Sequence, residues 1–511
     1  MDDKNKRRSI YIITPRNPKS IWIMDTMVNI LGTKALMPNA AIPLLIALTP
    51  KGLDIEYTIC DENVSKIDLN IKCDLVVITG YTIHAKRIHE LSEIFRQKGA
   101  QIALGGTYAT IYKDKLTGLA DYLFIGEAEY IWPKFLCQWV KEEAISQYVQ
   151  EDYIDMKDSP LPNWSLINLF DYINFPVQTS RGCPNQCDFC DVIKILGRKY
   201  RTKSIDQILI EIKNAHLLGA RSIFFSDDNF LGNKSFTINL LTEIIKWNIT
   251  QYSPLSFSTQ ITVDVADDDQ LLKLFADARF SVLFLGVETV KKESLEEVKK
   301  FQNLKYDIYE RIRKISSYGI IPFIGLIVGF DNDNESIFNE LYMFIEKTYN
   351  PICCISLLNA PLNTHLYNRL KKDNRIMGSD FSGEWQFSTN IVPKQMNINS
   401  LLANYIELFQ KIYEPVNFQN RFKEWLLNVK YINSLYTKKK LDIRQLFKGI
   451  KIFRYFIFQA DHKVKKLFLN CLYLTWQINP KLMRRTFTIL AHYPHFYNFV
   501  NELQCIRDSK F

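Results

Sequence analysis

Over residues 1–147, short apolar runs bounded by turn residues alternate with stretches of helical spacing. Ser9–Thr14, Asp54–Thr58, Asp74–Thr79, Gln101–Gly106 and Asp121–Ile125 read as strands. His84–Lys98, with Ile88, Leu91, Ile94 and Phe95 on one face, reads as a helix. Alternation of this kind predicts an α/β, doubly wound (Rossmann-like) domain with a parallel sheet covered on both faces. Such sheets bind ligands at the carboxyl ends of their strands. Those ends carry Gly80-Tyr81-Thr82, Gly105-Gly106-Thr107 and Gly126-Glu127. Glycine there lets a backbone approach a ligand closely, or simply makes a tight turn, and spacing does not choose between the two.

Residues 148–174 are polar and contain Ser159-Pro-Leu-Pro-Asn-Trp164, which reads as a linker. From 175 to 370 strand and helix patterns repeat: Val177–Thr179, Ser222–Phe225, Leu255–Thr259, Val282–Leu285, Ile320–Val328 and Ile355–Leu358 are strands, with helical spacing between them, as in Ile205–Leu218. Six βα units predict a partial (βα)6 TIM-like barrel, whose active site belongs at the carboxyl ends of the strands. Residues 371–511 are helical in pattern, through Leu401–Ile412 and the stretch containing Trp425, Leu426 and Val429, with a break at Tyr413-Glu-Pro415.

Composition narrows the class. A chain of 511 residues exceeds one core. No apolar run reaches membrane-spanning length, and the charged start leads into a strand and not a signal-peptide core. Ten cysteines without a pairing framework suit reduced thiols, and a cytoplasmic location is expected. The net charge of +9 is concentrated late: from Arg421 onward 18 Lys and Arg face 5 Asp and Glu. That is a solvated basic face, or a surface for an anionic substrate, lipid headgroup or nucleic acid.

Arg181-Gly-Cys183-Pro-Asn-Gln-Cys187-Asp-Phe-Cys190 holds the chemistry. C-x3-C-x2-C gives three thiolates, while a four-iron cluster has four irons, so one iron would stay open. On spacing alone a zinc site with an unrecognised fourth ligand, or three buried thiols, remain alternatives. The loop, with Phe189 before the last cysteine, resembles that of the radical S-adenosylmethionine (SAM) superfamily. The resemblance implies that Cys183, Cys187 and Cys190 ligate a [4Fe-4S] cluster whose open iron binds SAM.

Other strand ends extend it. Asp227 and Asp228 follow the second barrel strand, Gln260 and Asp264 the third, Gly286 and Glu288 the fourth, and Gly329 the fifth. Taken alone, Asp227-Asp228-Asn229 is equally a helix N-cap cluster. By resemblance these positions contact SAM. Gly197-Arg198-Lys199-Tyr200-Arg201 is a solvated turn, or a clamp for an anion. A doubly wound domain ahead of the loop resembles the cobalamin-binding class of these enzymes, and Gly105, Gly106, Thr107, Gly126 and Glu127 look like its corrin-contacting loops. No D-x-H-x-x-G is present, and His84 and His89 read as surface histidines.

The chain as a whole is similar to the subgroup that includes hopanoid C-2 methylases. That implies methylation of an unactivated carbon in a small-molecule or lipid-like substrate. It also implies an external electron donor of flavodoxin or ferredoxin type and no nucleic acid, while the basic, aromatic-rich C-terminal region is expected to make peripheral membrane contact. The alternatives are a radical SAM isomerase, cyclase or enzyme transferring another fragment of SAM without cobalamin methyl transfer and, remotely, a zinc-stabilised nucleic-acid-binding module.

Overall fold

The computed structural model describes residues 7–378, 388–436 and 443–510. The first sheet contains β1 (Arg8–Thr14), β2 (Ile55–Asp61), β3 (Leu75–Thr79), β4 (Gln101–Gly105), β5 (Tyr122–Ile125) and β6 (Gln147–Val149). All neighbours are parallel, in the order β2-β1-β3-β4-β5-β6. Ile10 to Ile13 and Leu75 to Ile78 are buried along their whole length, as strands covered on both faces must be. The order reverses between β1 and β3, and that switch point opens the crevice in which doubly wound sheets bind ligands. The expected helix forms at Ala85–Gln97. β6, three residues long, escaped the sequence reading because so short a run shows no periodicity.

The second sheet begins with β7 (Phe175–Val177). A small antiparallel pair follows, β8 (Ser180–Arg181) with β9 (Arg201–Thr202), and then β10 (Ser222–Phe225), β11 (Ser256–Ile261), β12 (Phe280–Glu288), β13 (Ile321–Val328) and β14 (Ile352–Leu357). The six barrel strands run parallel in the order β14-β13-β12-β11-β10-β7. Since β7 and β14 do not pair, the barrel is open, as six βα units predict.

Two distant segments complete this core. Ile21, Met24, Met27, Ile30 and Leu31, from early in the chain, are buried with the barrel strands. Trp22 lies 5.4 Å from the Phe284 ring and 6.2 Å from Phe323. The helix Met483–Lys510 joins them, with Phe496 5.8 Å from Phe323 and His495 reaching Asp25 (3.0 Å) and the Ile21 carbonyl (2.8 Å). The helices Ile398–Tyr413 and Pro415–Asn428 meet at the predicted break, where Glu414 accepts from the Val416 and Asn417 amides. Among the described residues no helix is long and apolar enough to cross a membrane. Three lysines of the basic count, at 438–440, lie outside the described residues.

Candidate active site

The cysteine loop leaves β8 at Gly182. This residue has φ of +87°, and a Cβ there would strike the Lys199 carbonyl, so the arginine-glycine-cysteine run needs glycine on steric grounds. The Cys183 amide donates to Gly197 O (3.2 Å) and the Asp188 amide to Val298 O (3.0 Å). Burial pushes all three thiols up, and Cys183 and Cys187 further oppose ionisation of Cys190. Among the described residues no three His, Cys, Asp or Glu side chains approach closely enough to share one metal ion. A cuboidal cluster takes one thiolate per iron, so three soft donors on one short loop fit it with one iron left open.

The loop after β12 backs the cysteines. Lys300 pairs with Glu288 (2.6 Å) and lies 5.9 Å over the Phe189 ring. Burial opposes the charge on Lys300, but Glu288 and Cys187 hold its pKa above the ordinary value. Gln302 reaches Cys187 Sγ (3.9 Å), and Lys299 pairs with Asp188 (3.0 Å). Gly286 leaves room for this pair, because a Cβ would meet both Glu288 Oε1 and Lys300 Nζ. Glu288 and Gly286 are marked in the sequence by their place after the fourth barrel strand, whereas Lys299, Lys300 and Gln302 are ordinary polar residues until the barrel brings them under the loop.

The two aspartates after β10 divide the work. Asp227 accepts from the Thr179 amide (2.6 Å), the Thr179 hydroxyl and the Ser180 amide (3.1 Å), so it fixes the entry to the cysteine loop and has little left for a ligand. Asp228 accepts only from the Gly182 amide (3.0 Å) among its described partners. Burial raises both carboxyls to about 6. Ser180 Oγ and Tyr200 OH, buried beside Asp227, make no well-formed hydrogen bond among the described residues, which suits a polar ligand there; Asp264 Oδ1, beyond β11, is likewise buried without one. Gly329 ends β13 in a turn held by Asp333, whose carboxylate accepts from the Gly329 (2.9 Å) and Phe330 (3.0 Å) amides. Gln260 points elsewhere, into a large cavity inside the barrel.

Glu127 departs from its expected place. It is buried, and Arg181 and Arg201 both bond to it at 2.9 Å. Arg181 also pairs with Glu129 at 2.8 Å. These ions tie the end of β5 to the cysteine loop and leave Glu127 unavailable to a corrin. Against the effect of burial, Arg181 keeps Glu129 below the usual carboxylate range. Arg201, the last residue of the candidate anion clamp, is therefore an internal ion-pair partner, while Arg198 bonds the Pro184 carbonyl (3.1 Å).

The remaining glycines lie at strand ends. Gly106 has φ of +88°, and a Cβ would lie 2.7 Å from Gly80 O, so the turns after β3 and β4 pack backbone on backbone. Gly105 and Thr107 flank it, Thr107 opening a short helix, and Gly126 abuts Gln150. His84 is not a surface histidine. It is 2% exposed, its Nδ1 accepts from the Tyr81 amide (3.0 Å), and Nε2 then donates to Asn17 (2.8 Å). Burial lowers its pKa to about 4. His89 contacts the Tyr108 hydroxyl at 3.0 Å.

A cavity of about 750 Å³ lies between the two sheets. Thr14, Asp61 and Tyr81 line it from the first sheet, and Phe189, Glu288 and Gly325 from the barrel. The carboxyl ends of both sheets thus face one chamber beside the cysteine loop.

Comparison with known proteins agrees with this geometry. Residues 177–345 match the family model of the radical SAM superfamily, and residues 364–507 match a domain of unknown function, DUF4070. An uncharacterized methyltransferase of Synechocystis sp. is 30% identical, over 96% of this chain and 91% of its own length. The hopanoid C-2 methylase of Rhodopseudomonas palustris is 29% identical, over 73% of this chain and 72% of its own. The fold is that of the cobalamin-dependent S-adenosylmethionine radical enzyme OxsB, solved with aqua-cobalamin and S-adenosylmethionine bound, with a TM-score of 0.61 at 15% identity over 99% of this chain and 80% of that one.

Proposed function

The chain belongs to the radical SAM superfamily, within the group of cobalamin-type methyltransferases, and from that premise we propose that it methylates an unactivated carbon of a small-molecule substrate. The observation that carries this reading is the single chamber between the carboxyl ends of the two sheets, with Phe189 of the cysteine loop in its wall. Methyl source and radical source must address one substrate carbon, and the chamber provides that shared position.

Cys183, Cys187 and Cys190 would hold the [4Fe-4S] cluster, and Asp228, Glu288 and the Gly329 turn would bind SAM. Gly105, Gly106 and Thr107 would receive cobalamin. When bound, the cluster supplies the electron that cleaves SAM to a 5′-deoxyadenosyl radical, and cobalamin supplies the methyl group. The protein's own residues orient these groups and exclude water. Asp227 and Gly182 fix the cysteine loop, and Lys300 with Gln302 tunes the thiolates, since charge and hydrogen bonds at the sulfurs set cluster potentials.

The test is anaerobic turnover of reconstituted protein with reductant and SAM, with and without methylcobalamin. 5′-Deoxyadenosine and S-adenosylhomocysteine are both expected from wild type, and neither from the variant with all three cysteines replaced by Ala. Deoxyadenosine without any response to cobalamin would favour the isomerase or cyclase alternative.

Two partners complete the proposal. A flavodoxin- or ferredoxin-type donor would deliver the electron. The C-terminal helices would touch an anionic membrane surface: Leu446, Phe447, Ile450 and Phe453 are exposed on the helix Ile443–Phe458, and Tyr473 and Trp476 on the next, among the lysines of this region. Co-sedimentation with anionic but not neutral vesicles is the expected result.

A further inference from the structure

The interior of a closed barrel is filled by bulky branched side chains. Here the inward positions of β10, β11 and the start of β12 are Ser222, Phe224, Ser256, Ser258, Ser281 and Val282, and a cavity of about 980 Å³ takes the place of the packed core. That is at the upper end for small-molecule sites. Its walls are overwhelmingly apolar, with Met24, Met27 and Leu31 on one side and Phe453, Phe487 and Ala491 on the other.

Two features give the cavity direction. At the carboxyl side of the barrel it ends on Trp22, Leu36 and Phe284, which also line the chamber beside the cysteine loop. At the amino side it is lined by Arg221, Lys448 and Arg484, and no Asp or Glu is among the described lining residues. Leu446 and Ile450, exposed on the helix proposed to touch a membrane, form part of the same lining. Ser256 and Gln260, both lining residues, sit four positions apart on β11, so the barrel section of the cavity is about 13 Å long.

The amino end is cationic beyond its lining. Burial, then the neighbouring Arg484 and Arg279, bring Arg485 down to about 9, and burial with Arg484 does the same to Arg279. A group of arginines that oppose one another's charge is a site that an anion would stabilise.

We infer that the hollow barrel axis binds an amphiphile, with its apolar body inside the barrel, its acidic head at Arg221, Lys448 and Arg484, and the reacting carbon at the end remote from that head. This rests on the proposed methyltransferase reading for the location of the chemistry, but the binding site stands on the cavity alone. The apolar body removes water from the serine-lined axis, and the arginines fix how far it advances past Trp22. Entry lies beside the exposed apolar face of the helix Ile443–Phe458, so the amphiphile comes from a lipid phase.

The experiment uses full-length, cluster-reconstituted protein without reductant. The probes are 16-doxyl-stearic acid and its methyl ester, and immobilisation of the nitroxide is read by electron paramagnetic resonance. Wild type is expected to bind the acid at least tenfold more tightly than the ester. Arg484→Gln should reduce that preference to about threefold or less. Ser258→Phe, which fills the axis, should weaken both probes at least tenfold. Gly449→Trp is the second filler: a Cβ at this mouth position meets nothing within 4 Å, so the backbone there admits a side chain, and circular dichroism checks that the fold is kept. Equal affinity for acid and ester in wild type overturns the head site. Affinity unchanged in both fillers, or no binding by wild type, overturns the barrel site. Deoxyadenosine formation on the same preparations reports the radical chemistry separately. A protein that cleaves SAM yet binds neither probe refutes this inference alone.

Discussion

Replacing Arg181 with Met tests how the two sheets are joined. Arg181 bonds Glu127 (2.9 Å) and Glu129 (2.8 Å) in a buried site. After the substitution Glu127 keeps Arg201 at 2.9 Å, but Glu129 keeps only the Ser159 hydroxyl at 3.1 Å and no cation among its described partners. Removing one partner of a buried pair costs about 3–5 kcal/mol, because the remaining charge is uncompensated. Glu129 has a cheaper route, which is to bind a proton. From an unperturbed pKa of about 4.3, protonation at pH 7 costs about 3.7 kcal/mol, and at pH 5.5 about 1.6 kcal/mol.

The loss should therefore be near the lower bound at pH 7 and shrink by about 1.4 kcal/mol per pH unit on acidification. The sign follows from linkage: the orphaned carboxyl has a raised pKa in the folded state, so the variant regains stability as pH falls. A chain with two sheets need not unfold in one step, so local opening is the better observable. Hydrogen exchange at residues 123–131 and 178–203, corrected for intrinsic rates, should show protection reduced by more than 10² at pH 7 and by roughly tenfold at pH 5.5. Adding Glu129→Gln should restore most of the protection. A loss below about 1 kcal/mol at pH 7, or an equal loss at both pH values, would refute the assignment of these ions as the clamp.

Three further outcomes are expected. Gly106→Ala places a methyl 2.7 Å from the Gly80 carbonyl at φ of +88°, and should lower stability by about 1–3 kcal/mol and abolish the cobalamin absorbance acquired on reconstitution. Lys300→Ala removes the cation between Glu288 and Cys187; the purified variant should retain its fold by circular dichroism while deoxyadenosine formation falls at least tenfold, with a shifted cluster reduction potential. His84 stays neutral when folded down to about pH 4, so between about 6.5 and 4 only the unfolded chain gains its proton. Stability should fall through that window by up to about 3 kcal/mol, seen as an acid limb in Tm that His84→Gln flattens relative to wild type.

Much of this molecule is legible in its order of residues. Buried parallel strands are short apolar runs bounded by turn residues, so nearly every strand of both sheets falls within a few positions of its expected place. The cysteine loop is local in sequence, and its spacing alone sets how many irons the protein can ligate. The glycines at strand ends were placed for the same reason, since a backbone that passes within van der Waals contact of another admits no side chain.

Relations between distant segments were not legible. Glu127 reads as a ligand-facing loop residue until Arg181 and Arg201 converge on it, and His84 reads as a surface histidine until Asn17 and the Tyr81 amide enclose it. Lys300 gains its meaning only under Cys187. The segment Ile21–Leu31, assigned by sequence position to the first domain, packs into the core of the barrel, and serines on β10, β11 and β12 become the wall of a cavity because the strands face inward together. Periodicity reports which face of an element is apolar. Which element meets that face, and which charge ends beside which, depends on the minimum that the whole chain reaches when every buried group must find a partner.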